Sequence, residues 1–263
     1  MFSATVNNAH GIQTLRKYWF RLAMILAWAC LSIPATQARA DDDDEEEIPF
    51  GAVRIIFETN ASDGDAGIQV FLDGEPWNEV EIENPCGEEI FKVKGRGALN
   101  GFGLTELFFE SNEPPFDEVP LAEVLALFPE GKYEFEGETV DGKELEGEAV
   151  LTHVIPAGPE IVTPLSFSED PPMVDPDNTV IEWDPVTTTL TGSGLEIAGY
   201  QVVVHAEESG LNFSVHLPAT ATIVTIPPEF LEDDAEYTFE VLAIEVSGNQ
   251  TITEGEFVTA PEP

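Results

Sequence analysis

The residues best placed to hold a hard cation lie in Asn60-Ala61-Ser62-Asp63-Gly64-Asp65-Ala66-Gly67, with Asp73 a little further on. Oxygen ligands at alternate positions with glycine between them suit calcium, which takes about six to eight of them. Asn60, Asp63, Asp65 and Asp73 are therefore the expected metal ligands. Asp-Gly-Asp is also ordinary turn chemistry, and no glutamate closes the loop as an EF-hand requires.

Other chemistry is thinly represented. Cys86 lies in Asn84-Pro85-Cys86-Gly87, which reads as a turn, and if Cys30 departs with an export signal it is left as a lone thiol with no internal disulfide. His153, His205 and His216 fall in strand-like text, and nothing marks one of them as a base. The 51 Asp and Glu include no pair that stands out as a general acid and base. No metal triad, phosphate loop or nucleophile elbow is recognisable, so no catalytic residue is assigned. Trp77, between Pro76 and Asn78 on an expected turn, is the candidate for an exposed aromatic ligand platform.

Several features govern how these residues are presented. Arg16, Lys17 and Arg21 precede an apolar run from Leu22 to about Ile33, and Ala38-Arg39-Ala40 stands before Asp41. This is the layout of a signal peptide over residues 1–40, too short in its apolar part for a membrane anchor. A lipid anchor at Cys30 is the lesser alternative, since Ala27-Trp28-Ala29 lacks the usual leucine. Four of the ten Lys and Arg and none of the 51 acids lie in those forty residues, leaving six cations against 51 acids beyond them. Such a surface repels nucleic acid and anionic membrane and attracts cations. The run Asp41 to Glu47 predicts an acidic, disordered leader over 41–50.

From Ala52 the hydrophobic period becomes two. Val53 to Phe57, Ile68 to Leu72 (stopped by Asp73-Gly74-Glu75-Pro76), Val80 to Glu83, Ile90 to Lys94 and Leu104 to Glu110 read as short strands between turn residues. Leu121 to Phe128 alone looks helical, and Asp141-Gly142 reads as a type I′ hairpin turn. These predict a β-sandwich over 51–155 with one short helix. A linker at 156–160, stiff with Pro and Gly, leads to a second sandwich over 161–260. Leu127 precedes Tyr133 by six residues, as Leu231 precedes Tyr237, and each tyrosine is followed by an alternate phenylalanine, which suggests a divergent repeat.

The second block, with Trp183, Tyr200, Leu231 and Tyr237 in order, resembles the fibronectin type III family over about 159–260. The resemblance implies a seven-stranded Greek-key sandwich with Trp183 on strand B, Tyr200 on strand C, and Leu231 and Tyr237 at the corner leading into strand F. The family's usual Pro-Gly in that corner is replaced here by Asp233-Asp234. No catalysis is implied, and Tyr237 reads as a folding residue rather than a ligand contact.

The expectation is an all-β chain of two tandem immunoglobulin-like or fibronectin type III-like sandwiches, exported to the periplasm or the exterior. It would present loops to a cell-surface or extracellular protein or polysaccharide, modulated by cations. The alternative is a secreted polysaccharide-acting enzyme or its carbohydrate-binding accessory. No cofactor is required, calcium being the one candidate. Asn60-Ala61-Ser62, Asn212-Phe213-Ser214 and Asn249-Gln250-Thr251 match the N-glycosylation sequon. Self-repulsion among so many acids is screened within about 8 Å at physiological salt. The melting temperature is accordingly expected to rise by several degrees between low salt and about 1 M sodium chloride in a calorimetric scan, a flat response counting against surface repulsion.

Overall fold

The computed structural model describes residues 47–165 and 170–261. The expected signal over 1–40 and the acidic leader as far as Glu46 lie outside them. Just beyond, the leader expectation fails: β1 (Ile48–Pro49) pairs with a later strand and Phe50 is buried, because two apolar residues follow the acids.

In the first sandwich β2 (Ala52–Asn60), β3 (Asp65–Glu83), β4 (Glu89–Lys94), β5 (Leu104–Glu110), β6 (Gly131–Thr139) and β7 (Glu144–Leu151) are joined by two helices. These are α1 (Ala98–Phe102), which the periodicity did not predict, and α2 (Leu121–Leu127), which it did. The Asp73 to Pro76 segment does not end a strand. β3 runs through it for 19 residues, pairing first with β2 and β5 and, after an irregularity between Asp73 and Trp77, with β4 and β6. Pro76 cannot donate to a ladder, so it is tolerated where the strand exchanges one set of partners for another. The bend folds the sheet over a core of Phe57, Val70, Leu72, Trp77, Val80, Ile82, Tyr133 and Phe135. The β6–β7 turn is not type I′, which needs positive φ at two residues. Only Gly142 has positive φ there, while the Thr139 hydroxyl accepts from Lys143 N at 2.9 Å.

The chain then forms β8 (Ile155–Pro156), β9 (Ile161–Thr163), β10 (Met173–Val174), β11 (Val180–Trp183), β12 (Thr189–Thr191), β13 (Ile197–Ala206), β14 (Asn212–Pro218), β15 (Ile223–Thr225), β16 (Glu236–Glu245) and β17 (Gln250–Thr259). One sheet has the order β15-β11-β9, and β17-β16-β13-β14 face it across a second core. Three strands over four give the seven-stranded Greek-key sandwich implied by the fibronectin type III resemblance. Trp183 and Tyr200 are buried with ring centroids 5.3 Å apart. At the corner the Tyr237 hydroxyl accepts from Glu232 N at 2.7 Å, and Asp234 adopts φ 53°, a left-handed conformation that Asp tolerates better than most residues.

The repeat is only partly structural. Tyr133 and Tyr237 are both buried at the start of a strand whose hairpin partner follows, and the Tyr133 hydroxyl donates to Pro129 O at 3.1 Å. Leu231 packs on the second core, but Leu127 is 70% exposed at the end of α2 and Phe128 packs instead.

The two sandwiches share one sheet. β17 pairs in parallel with β2, Gln250 opposite Glu58, Thr251 opposite Thr59 and Ile252 opposite Asn60. Asn249, in the turn entering β17, is 1% exposed. Its Oδ1 accepts from Phe57 N at 2.8 Å, and its Nδ2 donates to Thr152 O at 2.9 Å and Val154 O at 3.0 Å. Gly248 precedes it at φ 97°, where a Cβ would lie 2.9 Å from Ile56 Cγ2. Buried amide geometry of this kind excludes glycan attachment at the Asn249 sequon. Asn249→Ala would strand a buried N–H and two carbonyls at about 1–3 kcal/mol for an unsatisfied group. Denaturant unfolding is expected to show a loss of about 3 kcal/mol, whereas a loss below about 0.5 kcal/mol would mean that this amide is not what joins the halves.

Candidate cation-binding face

Of the expected calcium ligands, Asn60, Asp63 and Asp65 share the β2–β3 turn, the Asn60 Nδ2 lying 3.4 Å from Asp63 Oδ2, and Asp73 stands apart. Asn60 pairs with Asp65 at one end of the β2–β3 ladder, whereas Asp73 pairs with Ala52 at the other. Eight residues at about 3.3 Å each put Asp73 far outside any shared coordination sphere. Asn60 serves the turn itself, its Oδ1 accepting from Ser62 N at 2.9 Å and Asp63 N at 3.2 Å while its Nδ2 donates to Glu254 Oε1 at 2.6 Å. Trp77 is no platform. It is 0% exposed, because the bend it occupies turns its ring into the first core. In the full-length chain Cys86 is disulfide-bonded, so the lone thiol expected on loss of Cys30 belongs to the cleaved form alone.

A different set of acids comes together on the first sandwich. Glu79, Glu81 and Glu83 on β3 stand opposite Glu138, Glu136 and Glu134 on β6. Those three in turn stand opposite Glu144, Glu146 and Glu148 on β7. Side chains two apart on a strand share a face, and residues in register share it across strands. The result is a three-by-three lattice of glutamates with Val80, Ile82, Phe135 and Leu145 buried beneath. Each directly opposed like-charge pair opposes sheet formation by a few tenths to about 1 kcal/mol, so the apolar face must outweigh the repulsion.

Three lysines compensate the margins of this lattice. Lys92 Nζ lies 2.6 Å from Glu79 Oε1 and 2.5 Å from Glu81 Oε2, and Lys94 also pairs with Glu79. Lys132 Nζ lies 2.7 Å from both Glu134 Oε1 and Glu148 Oε1. Hydrogen bonds from Lys92 and Lys94 draw the Glu79 carboxyl down to about 2. At the centre Glu136 is raised, first by desolvation and then by Glu83, Glu81, Glu134 and Glu146. Glu144 and Glu146 meet Glu47, the three able to bring ligand oxygens within 4.8 Å of one another. The lysines thus sit at the edges of the lattice, Lys92 and Lys94 along β3 and Lys132 at its Glu134–Glu148 end.

The sequence carried a signal for this face. Glu79-Val-Glu81-Ile-Glu83, Glu134-Phe-Glu136-Gly-Glu138 and Glu144-Leu-Glu146-Gly-Glu148 repeat glutamate with the period of a strand. All nine glutamates of the lattice lie in these three period-two runs.

A second acidic group lies along the shared seam. Glu58, Asp65 and Glu113 come from the first sandwich and Glu240 from the second, each raised chiefly by burial. Glu113 reaches about 7, with Glu58, Asp65 and Glu110 adding to the effect. Gln250 donates to Glu58 across the seam, and Ser62 Oγ accepts from Glu254 N at 2.8 Å.

No family model matches the chain, and no curated protein matches it. Among solved structures it is similar to the fn3 domain of human collagen alpha-1(XX) chain, with 22% identity over 41% of this chain and 86% of that one, TM-score 0.28. It is also similar to a two fibronectin type-III domain segment of chicken tenascin, with 10% identity over 80% of this chain and 99% of that one, TM-score 0.29. For the FN1-FN3 domains of chicken CNTN1 the identity is 11%, over 81% of this chain and 65% of that one, TM-score 0.30. The matched structures are fibronectin type III domains. The fold here, read from its own strand order, is an all-β tandem in which the second sandwich has that arrangement.

Raised carboxylates bind protons more tightly in the folded state, so their contribution is present below the ordinary carboxylate value and is lost as pH rises through the folded value. At low salt the melting temperature is expected to fall as pH goes from about 5 to about 7.5. Glu113→Gln should flatten that slope and raise the midpoint at the upper pH. An unchanged slope would show that Glu113 is not desolvated.

Proposed function

We propose that this chain is a non-catalytic, exported binding or structural module whose glutamate lattice takes up divalent cations. Residues 1–40 act as the export signal, and among the described residues no helix is long and apolar enough to cross a membrane. The observation that carries the reading is the in-register lattice, with six opposed glutamate pairs and lysines only at its margins. Calcium is the ion of choice, because exposed carboxylates in flexible number and geometry suit it better than magnesium, which demands a rigid octahedron. Charge neutralisation across β3, β6 and β7 would stiffen the first sandwich, and with it the seam that fixes the second. The tandem then works as a spacer or adhesive unit facing a cell-surface or extracellular protein or polysaccharide, its partner contact set by cation occupancy.

Calorimetric titration with calcium chloride at constant ionic strength tests this. Binding is expected with a dissociation constant of roughly 10⁻⁴–10⁻³ M. The double variant Glu136→Gln/Glu146→Gln should weaken it about fivefold or more, and Asp63→Ala should leave it unchanged. If sodium at matched ionic strength stabilises the fold as much as calcium does, the lattice is only a solvated acidic surface.

A further inference from the structure

One flank of the second sandwich is unlike the rest of the chain. From Ser209 to Pro228 there is no Asp, Glu, Lys or Arg, although 51 acids crowd the remainder and Glu207, Glu208 and Glu229 bracket the run. The run supplies β14 and β15, the terminal strands of the two facing sheets. β14 pairs with β13 over seven residues without a register shift, and no other strand among the described residues lies along it. Phe213, Val215 and Leu217 pack inward while Asn212, Ser214 and His216 are exposed. Beside the strand edges, Leu211 is 58% and Ile223 51% exposed.

An unbulged, uncharged edge strand is a ready template for pairing, and proteins ordinarily blunt such edges with charge, proline or a bulge. Here proline appears only at the last position, and neither of the other devices is present. The contrast with other free strands is sharp: β5 carries Glu106 and Glu110, β4 carries Glu89, Lys92 and Lys94, and β9 and β15 have three residues each.

The charge pattern selects the occupant. A cationic partner would be drawn to the glutamate lattice or the seam, where the field is strongest. A neutral flank offers such a partner nothing, but it is where a second chain of the same large negative charge approaches at least electrostatic cost. We propose that β14 pairs antiparallel with β14 of a second copy, giving a two-fold dimer through the uncharged flank. Pairing an identical strand about a two-fold axis uses each free edge once, so the assembly closes at two copies. It adds roughly one backbone hydrogen bond per residue of the strand. The proposal is independent of cation binding at the lattice.

Sedimentation velocity on the mature chain tests it, with reductant so that Cys86 cannot cross-link two copies, over a hundredfold range of concentration in about 0.5 M sodium chloride to screen the remaining surface. A concentration-dependent dimer is expected. Ser214→Glu, at an exposed position, should weaken association tenfold or more while leaving unchanged the circular dichroism spectrum and the melting midpoint measured at a concentration where both chains are monomeric. Mixing Ser214→Glu with Ser214→Lys should restore a dimer. His216→Glu serves if the first variant does not fold. A chain that stays monomeric throughout, or a dimer indifferent to charge at these positions, would overturn the proposal.

Discussion

The structure depends on one buried amide. Asn249 extends the β2–β17 ladder by a rung beyond its backbone pairs, its side-chain oxygen doing for Phe57 N what a strand carbonyl would do. Its nitrogen meanwhile holds Thr152 and Val154, the residues that leave the first sandwich. Water cannot reach these groups, so the hydrogen bonds must be made within the protein or their desolvation goes uncompensated. The Thr251 hydroxyl adds a bond to Pro156 O at 2.6 Å, and the His153 ring packs edge-on against Phe57. The linker expected to be a stiff exposed joint is thereby built into the sheet, with Ile155 fully buried in the first core.

That rigidity lets an acid-rich chain keep like charges in register. On both the lattice and the seam, carboxylates oppose carboxylates because the residues between them are buried apolar side chains whose removal from water outweighs the repulsion above them. The acids therefore act as fixed charge on a stiff surface, and they respond collectively to protons and cations. The neutral flank from Ser209 to Pro228 is the counterpart of this arrangement, because repulsion directs contact between like chains toward the place where charge is missing.

Different residues were legible in the sequence to different degrees. Trp183, Tyr200, Leu231 and Tyr237 were readable because their roles are local to strands with clear alternation, and each takes its place in the second sandwich. Pro76 and Asn78 give the text around Trp77 the character of a turn. β3 bends there without ending and carries the indole inward. Asp73 looked close to Asp65 because separation along a chain is short even when an extended strand turns it into many ångströms. Leu127 matched Leu231 in spacing only, for α2 ends with its apolar side chain in solvent.

The all-β class, the strong negative charge, most of the strands and the fibronectin type III-like core of the second half can be read from the residues alone. These follow from period-two burial and composition, which are properties of neighbouring residues. That the two halves share a sheet, that nine glutamates form one lattice and that Asn249 is a structural amide rather than a glycan site emerges in the folded chain. Those outcomes rest on register between strands as far as 192 residues apart, as in the bond from Phe57 N to Asn249. Register is set by long-range pairing and turn geometry, and no local pattern encodes it.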